Sequence, residues 1–216
     1  MDFLQLCQRV NDFSGLQGTL SSITGVIAGT HQALLVEAVR KSWIELQTYR
    51  KDFKFLRSTI DLQLTAGKDL YTIDDIFTDP SLFKSWLAGS FLYNFKPLTF
   101  VDYDSWVTIA EHTPAPPTSF TIRPQDNAVI FNTLDGDYTI TLHFMVGIQK
   151  LVNNSDVPLL PAHLHYLIIY GGVMEMAIFT GEMNIYNRYA LLHSQMLGSL
   201  LRSEVPHTRV RFSPIA

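Results

Sequence analysis

The sequence predicts an α+β fold: a helical bundle of about four helices, a β-rich insertion between the second and third long helices, and an extended C-terminal arm. Two patterns support this class, because apolar residues follow a helical period towards both ends of the chain and alternate with polar residues in the middle. With 47% hydrophobic residues, the 216-residue chain can also bury a sizeable core. The expected domains are residues 1–57 with 158–205 for the bundle, 58–157 for the insertion and 206–216 for the arm.

The N-terminal part predicts two helices separated by a glycine-rich loop. Asp2 is a suitable cap for a short helix with Cys7 on its apolar face, so this thiol is expected in the core and not as a nucleophile. Residues 30–56 keep one helical period and predict an amphipathic helix about 40 Å long, along which other elements must pack. Its apolar stripe contains Leu35, Ala38, Val39, Ser42, Trp43, Leu46, Tyr49 and Phe53.

After residue 56 the hydrophobic period changes to two. Residues 60–64 alternate, residues 66–69 supply a turn, and Tyr71 and Ile73 continue on the return strand of a predicted hairpin. The next stretch, residues 74–118, is irregular and rich in aromatic residues, which indicates either loops pinned to a sheet or an exposed contact surface. These aromatic residues are Phe77, Phe83, Trp86, Phe91, Tyr93, Phe95, Phe100, Tyr103 and Trp106.

Residues 119–146 predict a three-stranded meander with one buried face. Asp135-Gly136 is a typical hairpin turn before the last of these strands. That strand alternates without a fault, with Tyr138, Ile140, Leu142, Phe144 and Val146 on one face and Thr139, Thr141, His143 and Met145 on the other.

Two further helices follow Pro161, which suits a helix start because its missing N–H is not needed there. Apolar residues cover almost all sides of residues 164–179, so this helix is expected to be buried. Gly171-Gly172 costs about 1 kcal/mol per glycine relative to alanine, which indicates close approach of the helix that begins near Thr30. Asn184 is a candidate cap for the last helix, and the alternating tail of residues 207–216 predicts an arm.

Charge, cysteine content and hydropathy limit the classes of function. The net charge of −4 disfavours a sequence-specific nucleic-acid binder. The chain is polarised, since residues 40–57 sum to +4 and residues 61–111 to −5, a pattern that suits either stacked subunits or two solvated faces. The single cysteine fits a reducing compartment, and the apolar run 164–179 is too short to span a bilayer, so a soluble intracellular protein with no membrane partner is expected.

The sequence contains no enzyme motif that withstands inspection. Gly67-Lys68 lacks the first glycine and the hydroxyl residue of a phosphate loop. His163 and His165 are two positions apart, so on a helix they point to nearly opposite sides and cannot chelate one metal ion as a pair. Asp102 and Asp104 are interpreted as polar turn residues. We therefore predict no catalytic residue, no cofactor and no metal.

The order of elements resembles the head-tail connector (adaptor) proteins of tailed bacteriophages over nearly the whole chain. The resemblance rests on the aromatic end of the long helix with Trp43, Tyr49 and "DFKFL", on "PLTFVDYDSW" and "FTIRP" in the β-rich part, and on "PLLPAHLHYLIIYGGVMEMA" at the entry to the buried helix. Phe53 stands where relatives often have a tryptophan, and Gly171-Gly172 replaces a more usual alanine.

The resemblance implies a structural virion protein, made in the host cytoplasm and located in the neck between capsid and tail. Such adaptors form a ring of about twelve copies below the portal, extend the channel for double-stranded DNA and bind the next tail or neck protein. The implied portal-binding arm contains Arg209, Val210, Arg211, Phe212 and Ile215.

Two other groups of candidate residues accompany this interpretation. Subunit or helix packing is assigned to Trp43, Tyr49, Phe53, Gly171 and Gly172, and tail-facing loops to Phe77, Trp86, Phe91 and Tyr93. An alternative function is a tail or baseplate component that binds other tail proteins through the aromatic region 77–106.

Overall fold

The computed structural model describes residues 1–15, 20–108 and 114–205. These residues form six α-helices and nine strands, so the predicted α+β class is confirmed. The helices are α1 (Phe3–Ser14), α2 (His31–Tyr49), α3 (Ile73–Ile76), α4 (Tyr103–Val107), α5 (Tyr166–Thr180) and α6 (Met183–Glu204). The strands are β1 (Arg57–Leu64), β2 (Leu70–Tyr71), β3 (Phe83–Trp86), β4 (Leu92–Tyr93), β5 (Lys96–Pro97), β6 (Thr99–Phe100), β7 (Ser119–Ile122), β8 (Val129–Phe131) and β9 (Tyr138–Val146).

The chain divides into two compact units. Of the described residues, a helical unit comprises those within Met1–Leu56 and those from Ile148 onward, and a sheet unit comprises those within Arg57–Gly147. Residues 148–157, which we expected in the β-rich insertion, belong to the helical unit. Hydrogen bonds to their backbone carbonyls hold them there, since Phe3 N donates to Asp156 O at 2.8 Å and the side-chain Nε of Arg40 donates to Leu151 O at 2.9 Å.

Capping residues set both ends of helix α1. Asp2 and Gln5 form a capping box, and Gly15 ends the helix with φ of 70°. In α2 the Thr30 side chain accepts a hydrogen bond from Ala33 N. This helix ends at Tyr49, so the prediction of one helix over residues 30–56 was too long.

The chain leaves α2 because Arg50 is extended, and a 3-10 turn follows at Lys54–Leu56. Phe53 is fully buried after this change of direction. Phe53 therefore continues the helical spacing of apolar residues in the sequence although it lies beyond the end of α2.

Helix α5 is the central element of the helical unit and contacts α1, α2 and α6. Seven of its residues are buried, namely Leu167, Ile168, Ile169, Gly172, Val173, Met176 and Ala177. With the preceding 3-10 turn it forms a 19-residue segment, Ala162–Thr180, that is long and apolar enough to cross a membrane by length and composition. Our expectation that this run is too short was therefore wrong for the extended segment, half of which is buried against the other helices.

The sheet unit contains two sheets among its described residues. In the first, β1 and β9 pair antiparallel from Arg57 opposite Met145 to Leu64 opposite Tyr138, and β3 and β4 also pair with β9. The second sheet has the order β2-β8-β7-β6.

The strand pairing corrects two predictions. Strand β2 pairs with β8 instead of returning along β1, and Ile73 begins α3, so residues 60–73 are not a simple hairpin. The meander stops after β8, because β9 belongs to the other sheet. Alternation identifies the buried face of a strand but does not identify its neighbour.

Aromatic residues form much of the sheet-unit core. Phe91 and Phe120 stack with their ring centroids 4.3 Å apart, and Phe77 meets Phe144 edge to face at 4.8 Å. Phe77, Phe91, Phe120 and Trp106 are all buried. The sequence left two interpretations of residues 74–118, loops pinned to a sheet or an exposed contact surface. These buried side chains fit the first.

Candidate interaction surfaces

The residues assigned to packing occupy different environments within the helical unit. Trp43 and Phe53 are buried at 1% and 0% exposure, whereas Tyr49 is 56% exposed. Trp43 and Phe53 therefore serve the interior of the folded unit, and Tyr49 is the side chain of the three that is open to a partner.

The two glycines lie at close helix contacts. A β-carbon on Gly171 would lie 2.2 Å from Ser42 Oγ, and one on Gly172 would lie 3.0 Å from Val10 Cγ2. Ser42 Oγ itself donates a hydrogen bond to Ile168 O at 3.0 Å, which fixes α2 to α5 at this level. Small residues are required here by the approach of α1 and α2 to α5.

The four residues assigned to tail-facing loops do not form one exposed surface. Phe77 and Phe91 are buried in the sheet-unit core and cannot contact a partner of the folded protein. Trp86 and Tyr93 are half-buried, and the Trp86 indole donates to Asn127 O at 2.7 Å. These aromatic side chains are used mainly for internal packing.

Among the aromatic residues of this region, where Phe100 is 45% exposed, the most exposed is Phe95. It is 96% exposed, the highest value among the large apolar side chains that the structure describes. It lies in the turn between β4 and β5, where Asn94 and Phe95 have φ of 47° and 64°. The sequence shows its aromatic character, but neither its exposure nor its left-handed backbone could be predicted from a phenylalanine at this place.

A surface groove lies between α2 and residues 149–152 of the helical unit. Its volume is about 670 Å³, and Trp43, Ile44, Leu151 and Val152 form its apolar lining. Ile44 and Val152 are 38% and 56% exposed. We call this feature the α2 groove; its size is typical of pockets that bind small molecules or inserted side chains.

A second exposed apolar group lies around the turn between α5 and α6. Ile178, Phe179 and Met183 are 57%, 57% and 55% exposed, and Leu191, further along α6, is 61% exposed. Several exposed apolar side chains close together in sequence are typical of surfaces that bind other proteins.

Two titratable side chains of the helical unit, Cys7 and His165, are buried within the fold. Burial raises the pKa of the Cys7 thiol to about 12, which makes it a poor nucleophile at neutral pH. His165 is buried, and its ring nitrogens contact Leu160 O at 2.8 Å and the Met1 amino group at 3.0 Å. Burial lowers the pKa of His165 and favours the neutral imidazole.

The acidic candidates are also structural. Asp102 caps α4 by accepting from Asp104 N at 3.2 Å, which agrees with the interpretation of these two residues as polar turn residues. Within residues 1–15, 20–108 and 114–205, no group of three or more histidine, cysteine, aspartate or glutamate side chains could hold a metal ion. The segment predicted to bind the portal, including Arg209, Val210, Arg211, Phe212 and Ile215, lies outside the described residues.

The chain combines a helical unit, a sheet unit with an aromatic core, and exposed apolar side chains of the kind found at protein–protein contacts. The model of the SU10 adaptor protein family matches residues 1–215, and the chain therefore belongs to this family of phage adaptors. No curated protein matches the chain. The family confirms the resemblance to head-tail adaptors and implies a structural protein of the virion neck that interacts with portal and tail proteins.

Proposed function

We propose that the protein forms a ring of about twelve copies below the portal, extends the DNA channel and provides the platform on which the tail attaches. The family match over residues 1–215 is the observation on which this proposal rests. The exposed apolar side chains of the helical unit support it, because a subunit in a ring must cover two different surfaces with its neighbours.

The C-terminal arm is the proposed portal contact. Val210, Phe212 and Ile215 provide apolar groups that can add an edge strand or fill pockets, and Arg209 and Arg211 can pair with acidic groups of the portal. The apolar and basic groups of the arm should contribute differently to binding of the portal. Charges at the rim of an interface mainly affect the association rate and its salt dependence, whereas buried apolar groups mainly affect the dissociation rate.

The acidic balance of residues 61–111 suits a protein through which DNA passes. Lysine and arginine in a lumen would bind phosphates and slow the passage of double-stranded DNA, whereas acidic residues do not retain it. DNA is therefore proposed to pass without specific binding. We also propose that the protein is made in the host cytoplasm and is then assembled into the neck of the virion.

Deletion of residues 206–216 tests the arm. The truncated protein should keep its thermal unfolding temperature and lose binding to purified portal, as measured by native mass spectrometry and electron microscopy. Two matched double variants separate the chemistry: Arg209→Ala with Arg211→Ala should weaken binding mainly at low salt, and Val210→Ser with Phe212→Ser should weaken it at all salt concentrations. Normal binding by the truncated protein, or no ring from the intact protein with portal, would refute the proposal.

The alternative function, tail or baseplate binding through residues 77–106, receives less support from the structure. Phe77 and Phe91 are internal, and Phe95 and Phe100 are the exposed aromatic side chains that such binding could use. A complex with a tail protein that forms as readily without portal, and no complex with portal, would favour this alternative.

A further inference from the structure

The turn at Asn94-Phe95 is unfavourable for the isolated subunit. Strands β4 and β5 pair Leu92 with Pro97 and Tyr93 with Lys96, which leaves a two-residue connection with positive φ at both positions. Such type I′ turns favour Asn-Gly, since glycine adopts positive φ without steric cost. Phe95 occupies the position where glycine fits best.

The same residue is also poorly placed for folding. With 96% of its surface exposed, the Phe95 side chain contributes almost nothing to the core of the sheet unit. Backbone strain that the surrounding fold does not require is a sign of function, and a nearly fully exposed aromatic ring is typical of a contact made in an assembly. These two observations together point to an intermolecular role for Phe95.

The α2 groove offers a complementary receptor on the helical unit. Its lining includes Trp43, Leu151 and Val152, and its volume of about 670 Å³ is ample for a benzyl group and parts of the adjoining turn. Trp43 is 1% exposed, and its Nε1–H has no hydrogen-bond partner among the described residues. That nitrogen lies inside the subunit, so an occupant of the groove would contact the exposed Ile44 and Val152 and not the indole N–H.

The α2 groove is lined by three basic residues, Arg40, Lys41 and Lys150, and by two acidic ones, Glu37 and Glu45, of which Glu37 is paired with Arg40. Lys96 is exposed next to Phe95, and Glu45 lies at the margin of the α2 groove. Lys41 Nζ is 2.7 Å from Glu175 but 3.9 Å from Glu45, so Glu45 is only weakly paired within its own subunit. Lys96 of an incoming turn can therefore meet an acidic side chain at the margin.

We propose that Phe95 of one copy inserts into the α2 groove of the neighbouring copy. The inserted residue and the groove are different surfaces of the same chain, so the contact is heterologous, and repetition of a heterologous contact produces a ring when the rotation closes. This inference rests on the proposed ring and identifies one contact that holds it together.

The variant Phe95→Gly should have opposite effects on the stability of the subunit and on its self-association. The change creates Asn-Gly in a type I′ turn, so the unfolding temperature of the subunit should rise, while self-association measured by analytical ultracentrifugation should weaken at least tenfold. Leu82→Ala is the matched control, because Leu82 is also an exposed apolar residue of the sheet unit, at 50%, and should leave association unchanged. Unchanged association of Phe95→Gly would overturn the inference.

The groove has its own matched pair of variants. Val152 lines the α2 groove and is 56% exposed, whereas Val157 is 54% exposed and does not line it. Val152→Glu should weaken association about as much as Phe95→Gly, and Val157→Glu should not. If both changes affect the same contact, the double variant with Phe95→Gly should lose much less than the product of the two single effects. Independent effects would contradict insertion into this groove.

A photocrosslinking side chain, p-benzoylphenylalanine, at position 95 identifies the occupied surface directly. In the complex with portal, crosslinked peptides containing residues 37–45 or 149–152 of another copy would support the proposal, and crosslinks to portal or to a tail protein alone would overturn it. The test is separate from that of the proposed function. Rings of normal stability from Phe95→Gly would refute this contact and leave the adaptor function in place, whereas no ring from the unaltered chain would refute both.

Discussion

Gly171 of α5 lies directly against Ser42 of α2, so that a β-carbon on Gly171 would come within 2.2 Å of Ser42 Oγ and 3.0 Å of Ser42 Cβ. Gly171→Ala should therefore destabilise the helical unit by up to about 2 kcal/mol, because overpacking costs about 1–3 kcal/mol and the better helix propensity of alanine returns about 1 kcal/mol. Gly171→Leu should prevent stable folding. Chemical denaturation measures the free energy of unfolding of each variant.

Gly198 provides the control for this contact. A β-carbon there would meet only Arg202 at 3.7 Å, an ordinary contact, so Gly198→Ala should raise the unfolding temperature through helix propensity. Ser42→Ala removes the oxygen nearest Gly171, and the double variant with Gly171→Ala should therefore lose less stability than the sum of the two single changes. An unchanged melting temperature for Gly171→Leu would refute the packing argument.

Asn132 is a buried polar hub of the sheet unit. Its Oδ1 accepts from Thr118 N at 3.0 Å and Ser119 N at 3.3 Å, and its Nδ2 donates to three backbone carbonyls, those of Ala115, Pro116 and Thr133, at 3.2–3.3 Å. Asn132→Asp keeps the shape but replaces the donor by an acceptor facing three carbonyl oxygens. We expect a loss of at least about 3 kcal/mol, measured by urea unfolding.

The same change at Asn127 serves as its control, since that side chain is exposed and asparagine and aspartate both tolerate the positive φ of 58° found there. Asn127→Asp should alter stability by less than about 0.5 kcal/mol. Equal losses for the two variants would show that the buried hydrogen bonds of Asn132 are not the cause.

Gln47 connects α2 to the segment that forms one side of the α2 groove. It is 1% exposed, its Oε1 accepts from Gln149 N at 2.8 Å, and its Nε2 donates to Gln149 O at 3.0 Å. Gln47→Met fills a similar volume but leaves both backbone groups unpaired, which should cost about 1–3 kcal/mol. Hydrogen exchange of the Gln149 amide should accelerate, and the exposed substitution Thr48→Ala should leave that exchange rate unchanged. Equal protection in Gln47→Met would contradict the role of Gln47.

The sequence patterns predicted the elements better than their partners. The buried α5 and the alternating β9 follow from composition and period over long uninterrupted stretches. The pairing of β1 with β9 across some eighty residues does not, because a period of two specifies a face and not a neighbour. The end of α2 was missed for a related reason, since buried Phe53 continues the helical spacing after the backbone has become extended at Arg50.

The candidate surfaces depend on three-dimensional features that the sequence does not display. The α2 groove exists because Gln47 and Arg40 hold residues 149–151 beside the helix through contacts more than one hundred residues apart. Phe95 differs from the surrounding aromatic residues only in exposure and backbone conformation, both of which depend on the tertiary structure. The number of aromatic residues could therefore indicate the region but could not separate the core residues from the exposed ones.

His165 and half-buried His193 should make stability depend on pH. Burial lowers the pKa of both imidazoles below the usual value of 6.5. Above that value both the folded and the unfolded states are neutral; below it the unfolded state binds protons first, so the free energy of unfolding should fall as pH decreases from about 7 towards the lower pKa of the folded state. Thermal unfolding between pH 7.5 and 5.5 should show this loss, and the slope should be smaller in His165→Gln and in His193→Gln. Titration of the imidazole resonances by NMR identifies each group, and a midpoint above 6.5 for His165 in the folded protein would reverse the predicted sign.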